Sequence, residues 1–353
     1  MIRERRLNHK QKLLLGLGAT ALALAAVALL GWRYRGPLRE KAISIRSSIR
    51  VQRESKRFLP AAGGWEKLPE PVLGGEYGVM FDPFVLREEG VYRMLVSWRQ
   101  EQGLALSESE DGQRWSAPEL ILTSNLASGW ETEVNRGCAV LRDGIYHVWY
   151  TGQVWEDQSS AIGYARGTDL RSLERVQPDP VMTAREPWEQ NNVMCPHVLW
   201  DEGEQLYKMW YSAGEMREPN AIGYAVSPDG VHWTRRPEPV FTAARGSNWE
   251  NHKVTACQVI PWEDGYLMFY IGFSNEDTAR IGLARSSNGI TNWEKCPANP
   301  ILSLTPGGWD GEACYKPFAI YEPERDRWLL WYNGRTGNVE QIGLAVHEGK
   351  ELF

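Results

Sequence analysis

The sequence lacks the short motifs that identify the commonest nucleotide-dependent and metal-dependent enzymes. It contains no P-loop, no dinucleotide-binding fingerprint and no nucleophile elbow. Its five cysteines form no Cys-x-x-Cys pair, so we predict buried free thiols and neither a metal site nor a cofactor. The basic excess of nucleic-acid-binding proteins is also missing, because the formal net charge is −6. We therefore expect no nucleic-acid partner.

Tryptophan is abundant, with 17 residues in 353, and some of these tryptophans recur at a regular interval. Two markers recur together at intervals of about 60 residues, which is the signature of a repeat architecture. The first marker is Trp-Glu/Asp and the second is Ile-Gly-Tyr/Leu-Ala. They begin at Trp130, Trp188, Trp249 and Trp309, and at Ile162, Ile222, Ile281 and Ile342. A diverged copy around Asp82-Pro83 precedes these four, so the chain holds five copies.

Each copy contains three short apolar or aromatic strands, a tight Asp-Gly or Asn-Gly turn, and a fourth strand. Four antiparallel strands per repeat are typical of a propeller blade. The last copy ends on its third strand, and the segment 65–73 resembles the missing fourth strand. We therefore predict an all-β, five-bladed β-propeller over residues 59–353, with its last blade closed by the N-terminal strand.

The N-terminal region predicts a membrane anchor. Residues 1–12 form a basic tail. Residues 13–32 form a run without a charged side chain, and this run is long enough to span a bilayer as a helix. Residues 33–58 form a basic juxtamembrane linker that would lie against anionic headgroups. A cleaved signal peptide is the alternative. We expect one transmembrane helix in the inner or plasma membrane, with the lipid bilayer as a partner and the propeller outside the cytoplasm, although the basic residues flank both ends of the span.

Four features of the repeat resemble a known group of enzymes. They are Asp82-Pro83 on the first strand, the Tyr-x-Met-Trp-Tyr pattern of residues 207–211, the Ile-Gly-Tyr-Ala strand, and the Ser-x-Asp-Gly-x-x-Trp turn. The chain resembles the five-bladed β-propeller glycosidases of glycoside hydrolase families 43, 32, 68, 62 and 117, together with the family 130 mannoside phosphorylases. The resemblance covers residues 65–346 and implies a carbohydrate substrate.

The resemblance carries over only part of the catalytic apparatus. Family 43 implies three carboxylates, and Asp82 matches the first of them. The other two positions fall on Cys195 and near Thr255, which are not acids. Family 130 implies one aspartic acid with bound phosphate as the nucleophile, and that pattern needs fewer carboxylates. Hydrolysis and phosphorolysis both stay open.

The first strands of a propeller line its axis, so we aligned them to find the residues that meet there. One predicted column contains Asp82, Gly137, Cys195, Ala256 and Lys316, and a second, four residues earlier, contains Gly78, Glu133, Asn191, His252 and Glu312. Glycosidic cleavage requires one carboxyl as acid and a second group as base or nucleophile. We predict Asp82 as base or nucleophile, Glu312 as acid and Glu133 as the third candidate. A Glu312–Lys316 salt bridge and a backbone-capping role for Asp82 are the structural alternatives.

The remaining polar and aromatic candidates are predicted to bind substrate. They are Arg99, Arg136, Asn191, His252, Lys253 and Lys316, with Trp155 and Trp188 as sugar-stacking rings. In a phosphorylase, Arg136, His252, Lys253 and Lys316 would hold phosphate. The acid after each repeated Trp, by contrast, is predicted to brace the blades, and Trp149, Trp210 and Trp331 to pack between them.

These observations predict a membrane-anchored, glycan-active enzyme. The simplest activity is that of a glycoside hydrolase cleaving an envelope or exported polysaccharide. The alternatives are a phosphorylase or glycosyl transferase of the same fold, and a non-catalytic glycan-binding scaffold.

Overall fold

The computed structural model of the protein describes residues 60–353. The predicted tail, anchor and linker (1–12, 13–32 and 33–58) lie outside these residues. Within the described part, no helix combines the length and the apolar character needed to cross a membrane.

The described residues form an all-β fold in which antiparallel strands make five sheets. The strands, in chain order, are β1 (Glu66–Lys67), β2 (Met80–Glu88), β3 (Val91–Trp98), β4 (Gly103–Ser109), β5 (Glu119–Leu122), β6 (Glu133–Arg142), β7 (Ile145–Val154), β8 (Ser159–Gly167), β9 (Glu174–Arg175), β10 (Val193–Asp201), β11 (Leu206–Ala213), β12 (Ala221–Ser227), β13 (Thr234–Arg235), β14 (Phe241–Thr242), β15 (Lys253–Trp262), β16 (Gly265–Phe273), β17 (Ala279–Ser286), β18 (Glu294–Lys295), β19 (Ala313–Glu322), β20 (Arg327–Thr336) and β21 (Val339–Glu348). Short 3-10 helices occur at Gly75–Tyr77, Leu126–Ser128, Leu170–Ser172 and Pro187–Glu189.

The five sheets are the five predicted blades. Strands β2–β5 form the first blade, β6–β9 the second, β10–β14 the third and β15–β18 the fourth. The fifth consists of β19, β20 and β21 with β1 as its outer strand, paired through Glu66–Val346 and Lys67–Ala345. Strand β19 also contacts β2, which closes the ring. The prediction of a five-bladed propeller closed by its N-terminal strand is therefore confirmed.

Buried tryptophans on the second strands hold adjacent blades together. Trp149 donates its indole N–H to the carbonyl oxygen of Gly230 at 2.9 Å, in the turn of the next blade. Trp210 and Trp331 make the same contact with the turns at Gly289 and Gly112. All three indoles are almost fully buried. The predicted packing role of these tryptophans is confirmed.

The acid that follows each repeated tryptophan forms a brace inside its own blade. Glu189 is fully buried, receives hydrogen bonds from Arg235 on the outer strand, and accepts another from the Tyr211 hydroxyl on the second strand. The equivalent ion pairs are Glu131–Arg175, Glu250–Lys295 and Asp310–Lys67. The structural role predicted for these acids is correct, but the ion pairs join the inner and outer parts of one blade.

Each first strand contains a β-bulge where it reaches the axis. The pairing with the second strand shifts there, and one residue adopts a positive φ angle: Asp82, Arg136, Cys195, Ala256 and Lys316. In four blades the bulged N–H donates to a side chain of the preceding blade, such as Ser97 Oγ for Arg136 at 2.8 Å. Bulges of this kind re-aim side chains, and here they turn five different residues toward the centre of the ring.

Candidate functional site

A polar cavity lies where the first strands and the loops between second and third strands converge. Its volume is roughly 780 Å³ including its open mouth. The charged residues that line it are Arg99, Glu133, Arg136, Arg217, Glu218, Glu276, Lys316, Arg335 and Glu340. Such a dense mixture of buried and half-buried charges is characteristic of a functional site, because burying charge is costly where it serves no purpose.

A second, smaller cavity adjoins the first and is lined by the bulges. It shares Arg136 and Lys316 with the larger cavity and adds Asp82 and Cys195. All five residues of the first predicted column line it, but in the second blade Arg136, and not Gly137, occupies the position equivalent to Asp82.

Asp82 is the centre of a buried charge cluster at the junction of the two cavities. Arg136 Nε lies 3.4 Å from Asp82 Oδ2, and Lys316 Nζ lies 3.3 Å from Asp82 Oδ1. Ser97 donates its hydroxyl to Oδ2 at 3.1 Å. Asp82 Oδ1 has no hydrogen-bond partner among the described residues, so this oxygen faces Lys316 with unused acceptor capacity.

The two cations of this cluster keep their charge despite burial. Burial alone would lower the pKa of Arg136, but the neighbouring Cys195 and Asp82 outweigh it and raise that pKa. Burial and Arg136 likewise oppose the charge of Lys316, and Asp82 is the largest influence that raises the pKa of Lys316 overall. Both side chains are therefore fixed positive charges beside the Asp82 carboxylate.

Glu133 forms part of the wall of the larger cavity, and its two carboxylate oxygens are both engaged. Trp155 donates its indole N–H to Oε2 at 2.8 Å, and the Asn135 amide donates to Oε1 at 3.3 Å. Arg99 lies 3.8 Å from Oε1 and 3.6 Å from a carboxylate oxygen of Glu340. The indole of Trp155 is 44% exposed, which leaves a ring at the cavity mouth for a sugar to stack on.

Glu218 is the most sparsely bonded carboxylate of the cavity wall. Its Oε2 is buried and accepts no hydrogen bond from the described residues. The nearest cation is Lys316, whose Nζ lies 3.9 Å away. Lys316 therefore stands between Asp82 Oδ1 and Glu218 Oε2, and neither oxygen accepts a hydrogen bond.

In the second blade, the residue predicted for the second column was one position off. Structurally, Arg136 and not Gly137 is equivalent to Asp82, because both carry the positive φ of the bulge. Counting four residues back from Arg136 gives Thr132, so Glu133 does not belong with Asn191 and His252. Glu133 instead shares its position with Lys253, one residue further along the strand.

Four residues of that column lie outside the lining of the two cavities, contrary to prediction: Gly78, Asn191, His252 and Glu312. Glu312 accepts a hydrogen bond from the backbone N–H of Gly337 at 3.0 Å. His252 is exposed and pairs with Glu276 at 2.9 Å, and Asn191 is exposed. The alternation of side chains along a strand fails here because the bulge inserts a residue and reverses the faces.

Two further predicted substrate ligands have structural partners instead. Lys253 is fully buried and its ammonium contacts Glu215 and Glu276 at 2.8 and 3.0 Å. Trp188 stacks on Tyr211 and donates its indole N–H to the carbonyl oxygen of Pro237 at 2.8 Å. Arg99, Arg136, Lys316 and Trp155 do line the larger cavity.

Sequence inspection missed several residues of the wall, including Arg217, Glu218 and Arg335. Arg217 and Glu218 lie in the loop between β11 and β12, and Arg335 lies at the end of β20. These connections return to the same end of the blade at which the first strand starts, because neighbouring strands are antiparallel. The polar residues that follow each second strand were the signal that could have located them.

The comparisons with known proteins agree with this geometry. Residues 131–251 match the glycosyl hydrolases family 32 N-terminal domain. An uncharacterized protein of Mycobacterium tuberculosis is 29% identical over 217 residues, covering 58% of this chain and 67% of that protein. A 1,2-beta-oligomannan phosphorylase of Thermoanaerobacter sp. (strain X514) is 30% identical over 135 residues, covering 35% of this chain and 44% of that protein. The crystal structure of a thermostable family-43 glycoside hydrolase superposes with a TM-score of 0.60 at 19% identity, covering 78% of this chain and 90% of that chain.

The chain has the five-bladed fold of the propeller glycosidases. The family 32 match over residues 131–251 supports a glycan-active enzyme, and with it a carbohydrate substrate. Two of the three acids expected from family 43 are replaced here, by Cys195 and by a fourth-blade strand without an acid. The three-acid arrangement of family 43 is therefore incomplete among the described residues.

Proposed function

We propose that the protein is a glycoside hydrolase in which Asp82 is the base or nucleophile and Glu218 is the general acid. The observation that carries the proposal is the position of Lys316 between Asp82 Oδ1 (3.3 Å) and Glu218 Oε2 (3.9 Å). The two oxygens cannot be further apart than these distances together, so they do not exceed the separation of about 9.5 Å that is the upper limit for the two carboxyl groups of glycosidases.

The two carboxylates are suited to different roles. Asp82 faces two fixed cations, and a base or nucleophile begins the reaction as a carboxylate. Glu218 Oε2 accepts no hydrogen bond, so a proton on it can pass to the leaving oxygen. Glu133 has both oxygens engaged by N–H donors and is better suited to orienting the sugar together with Trp155. Glu218 thus replaces Glu312 as the proposed acid.

The test is a product-release assay with the full chain in detergent and a panel of oligosaccharides that includes β-1,2-linked mannooligosaccharides. Asp82→Asn should abolish product release, and Glu312→Gln, which alters a carboxylate outside the cavity, should retain it. Binding without products in the wild type and in both variants would show a glycan-binding scaffold and refute the enzyme.

Phosphorolysis is a second candidate, favoured by the two buried cations Arg136 and Lys316 beside Asp82. The similarity to a protein described as an oligomannan phosphorylase points the same way. The assay is therefore run with and without inorganic phosphate. A phosphate-dependent rate with a sugar 1-phosphate product would establish phosphorolysis, whereas a phosphate-independent rate with a free reducing sugar would establish hydrolysis.

We also propose that residues 13–32 anchor the protein in the inner or plasma membrane, with the propeller outside the cytoplasm acting on an envelope or exported polysaccharide. The support is the uncharged run itself and its basic flanks. The full chain should stay in the membrane pellet after alkaline carbonate washing, and external protease should digest the propeller in spheroplasts. Release into the wash, or protection from protease, would contradict the anchor or the orientation respectively.

A further inference from the structure

Lys253 is a fully buried lysine whose ammonium group has three protein acceptors. It donates to Glu215 Oε2 at 2.8 Å, to Glu276 Oε2 at 3.0 Å and to the backbone oxygen of Glu218 at 3.2 Å. An ammonium group has three protons, so these three bonds use its donor capacity completely. Lys253 therefore has no donor left for a substrate or for phosphate.

The three acceptors belong to two loops of different blades. Residues 214–220 join β11 to β12 in the third blade, and residues 274–278 join β16 to β17 in the fourth. Both loops contribute to the cavity wall, through Glu218 and Glu276. A salt bridge of 2.9 Å between Arg217 and Asp277 also joins them, but that arginine is 53% exposed and its pair is weakened by solvent. Lys253 is a fully buried polar connection between the loops.

The same lysine fixes the backbone of the proposed acid. The carbonyl oxygen of Glu218 is bonded to Lys253, while its carboxylate faces Lys316. The hydrogen bond from Lys253 is also the largest influence that lowers the pKa of Glu215, which keeps this ion pair charged near neutral pH.

We infer that Lys253 is a positioning residue that holds Glu218 at the wall of the axial cavity by tying the loop 214–220 to the loop 274–278. This inference rests on the proposed function, in which Glu218 is the general acid. Without the tie, the Glu218 carboxylate has no fixed distance to Asp82, and misplacement by about 1 Å is enough to reduce catalysis about 100-fold.

The structural part of the inference can be tested without a ligand, by hydrogen–deuterium exchange on the full chain. Lys253→Met should raise exchange at least tenfold in peptides covering 214–220 and 274–278. The matched control is Lys208→Met, because Lys208 is also nearly buried between two carboxylates, Asp201 and Glu204, but belongs to a hairpin away from the cavity. It should leave both loops unchanged. Equal exchange of the two loops in wild type and Lys253→Met would overturn the inference.

The catalytic part uses the panel oligosaccharide that the wild type cleaves fastest. Lys253→Met should lower kcat at least tenfold with KM changed less than twofold, and Lys253→Arg should recover part of the loss. In the double variant with Glu218→Gln, kcat should fall no further than with Glu218→Gln alone, because both changes act through one group. If Glu218→Gln retains kcat, the proposed acid is wrong; if it loses kcat while Lys253→Met retains it, only the positioning role is refuted.

If Lys253→Met does not fold, Lys253→Arg and Glu215→Gln decide the matter. Glu215→Gln removes the negative charge of one acceptor on a side chain that is half exposed, so the fold should tolerate it. It should raise exchange in the loop 214–220 and lower kcat by a smaller factor than Lys253→Met. An unchanged loop and an unchanged kcat in both of these variants would refute the positioning role.

Discussion

The outer part of the propeller and its axis are built from the same five repeats, but they use them in opposite ways. In four blades a buried acid pairs with a cation on the outer strand: Glu131–Arg175, Glu189–Arg235, Glu250–Lys295 and Asp310–Lys67. At the axis the equivalent bulged residues are all different: Asp82, Arg136, Cys195, Ala256 and Lys316. Repetition therefore marks groups that stabilise a blade, and its loss marks the positions where the ring forms one asymmetric site.

The largest expected effect is on catalysis at the axis. Glu218→Gln should lower kcat at least about 100-fold, because general acid catalysis contributes about that factor or more. Thermal stability should change little, because the Oε2 atom of Glu218 accepts no hydrogen bond. Steady-state kinetics and a melting curve check both statements, with Glu312→Gln as the control that retains kcat. An unchanged kcat in Glu218→Gln would contradict the statement that the axis, unlike the outer part of the propeller, forms a single catalytic site.

Breaking one of the buried ion pairs within a blade should have the opposite effect, lowering stability and leaving kcat unchanged. Glu189→Ala leaves Arg235 nearly buried without its partner, and breaking a buried ion pair costs about 3 to 5 kcal/mol. Denaturant unfolding should show this loss, while kcat per folded molecule stays at the wild-type value. Glu204→Ala removes an exposed partner of Lys208 and should cost less than about 1 kcal/mol. A selective loss of kcat in Glu189→Ala would mean that the braces also shape the site.

His197 tests whether every buried group near the axis serves the site. Burial lowers its pKa from the ordinary 6.5 to about 4, and its ring contacts the carbonyl oxygen of Val259 in the next blade at 2.8 Å. As pH falls through this window, the unfolded chain binds a proton that the folded chain excludes, so stability is lost on acidification. The free energy of unfolding should fall by about 3 kcal/mol between pH 6.5 and 4. Denaturant titrations should find a smaller fall in His197→Gln; an identical fall would contradict the assignment.

The smallest expected effect concerns the turns between blades. Gly230 has a φ of 77°, and a Cβ there would lie 2.7 Å from Trp149. Gly144 has a similar φ of 74°, but a Cβ there would have no neighbour within 4 Å. Comparing the loss of stability caused by alanine at the two positions therefore separates the cost of the packing clash from the cost of backbone strain. Strain alone costs about 1 kcal/mol, and Gly230→Ala should cost about 1 to 2 kcal/mol more. Equal melting temperatures for the two variants would show that the Trp149 contact tolerates the added methyl group.

The sequence predicted the fold because the fold repeats. Trp130, Trp188, Trp249 and Trp309 occupy one position in four blades, so their spacing revealed the blade length and the displaced strand that closes the ring. The sugar-stacking role predicted for Trp188 departed from this regularity, since its indole packs on Tyr211 and does not line the cavity.

The site was predicted only in part, for two physical reasons. The predicted alignment of the second blade was one residue off, at Gly137 and not Arg136. The bulge that marks the equivalent position depends on pairing between strands, which the pattern of a single strand does not contain. Glu218 and Arg335 come from the ends of second strands and their loops, which have no common length or composition. Asp82 was identified through the resemblance to family 43, and Lys316 through the alignment of the five first strands.

The pairing of Lys67 with Asp310 has a consequence for how the protein is made. The two residues are 243 positions apart in the chain and complete the same blade. During synthesis from the N-terminus, the first four blades can each assemble from strands close in sequence, while β1 stays without its partner until β21 has been made. Closing so long a loop is slow, since folding rates fall as contacts become more distant in sequence. The edge of β21 is therefore the last to be covered, and faster pairing of β1 should shorten the time for which this edge is open to aggregation.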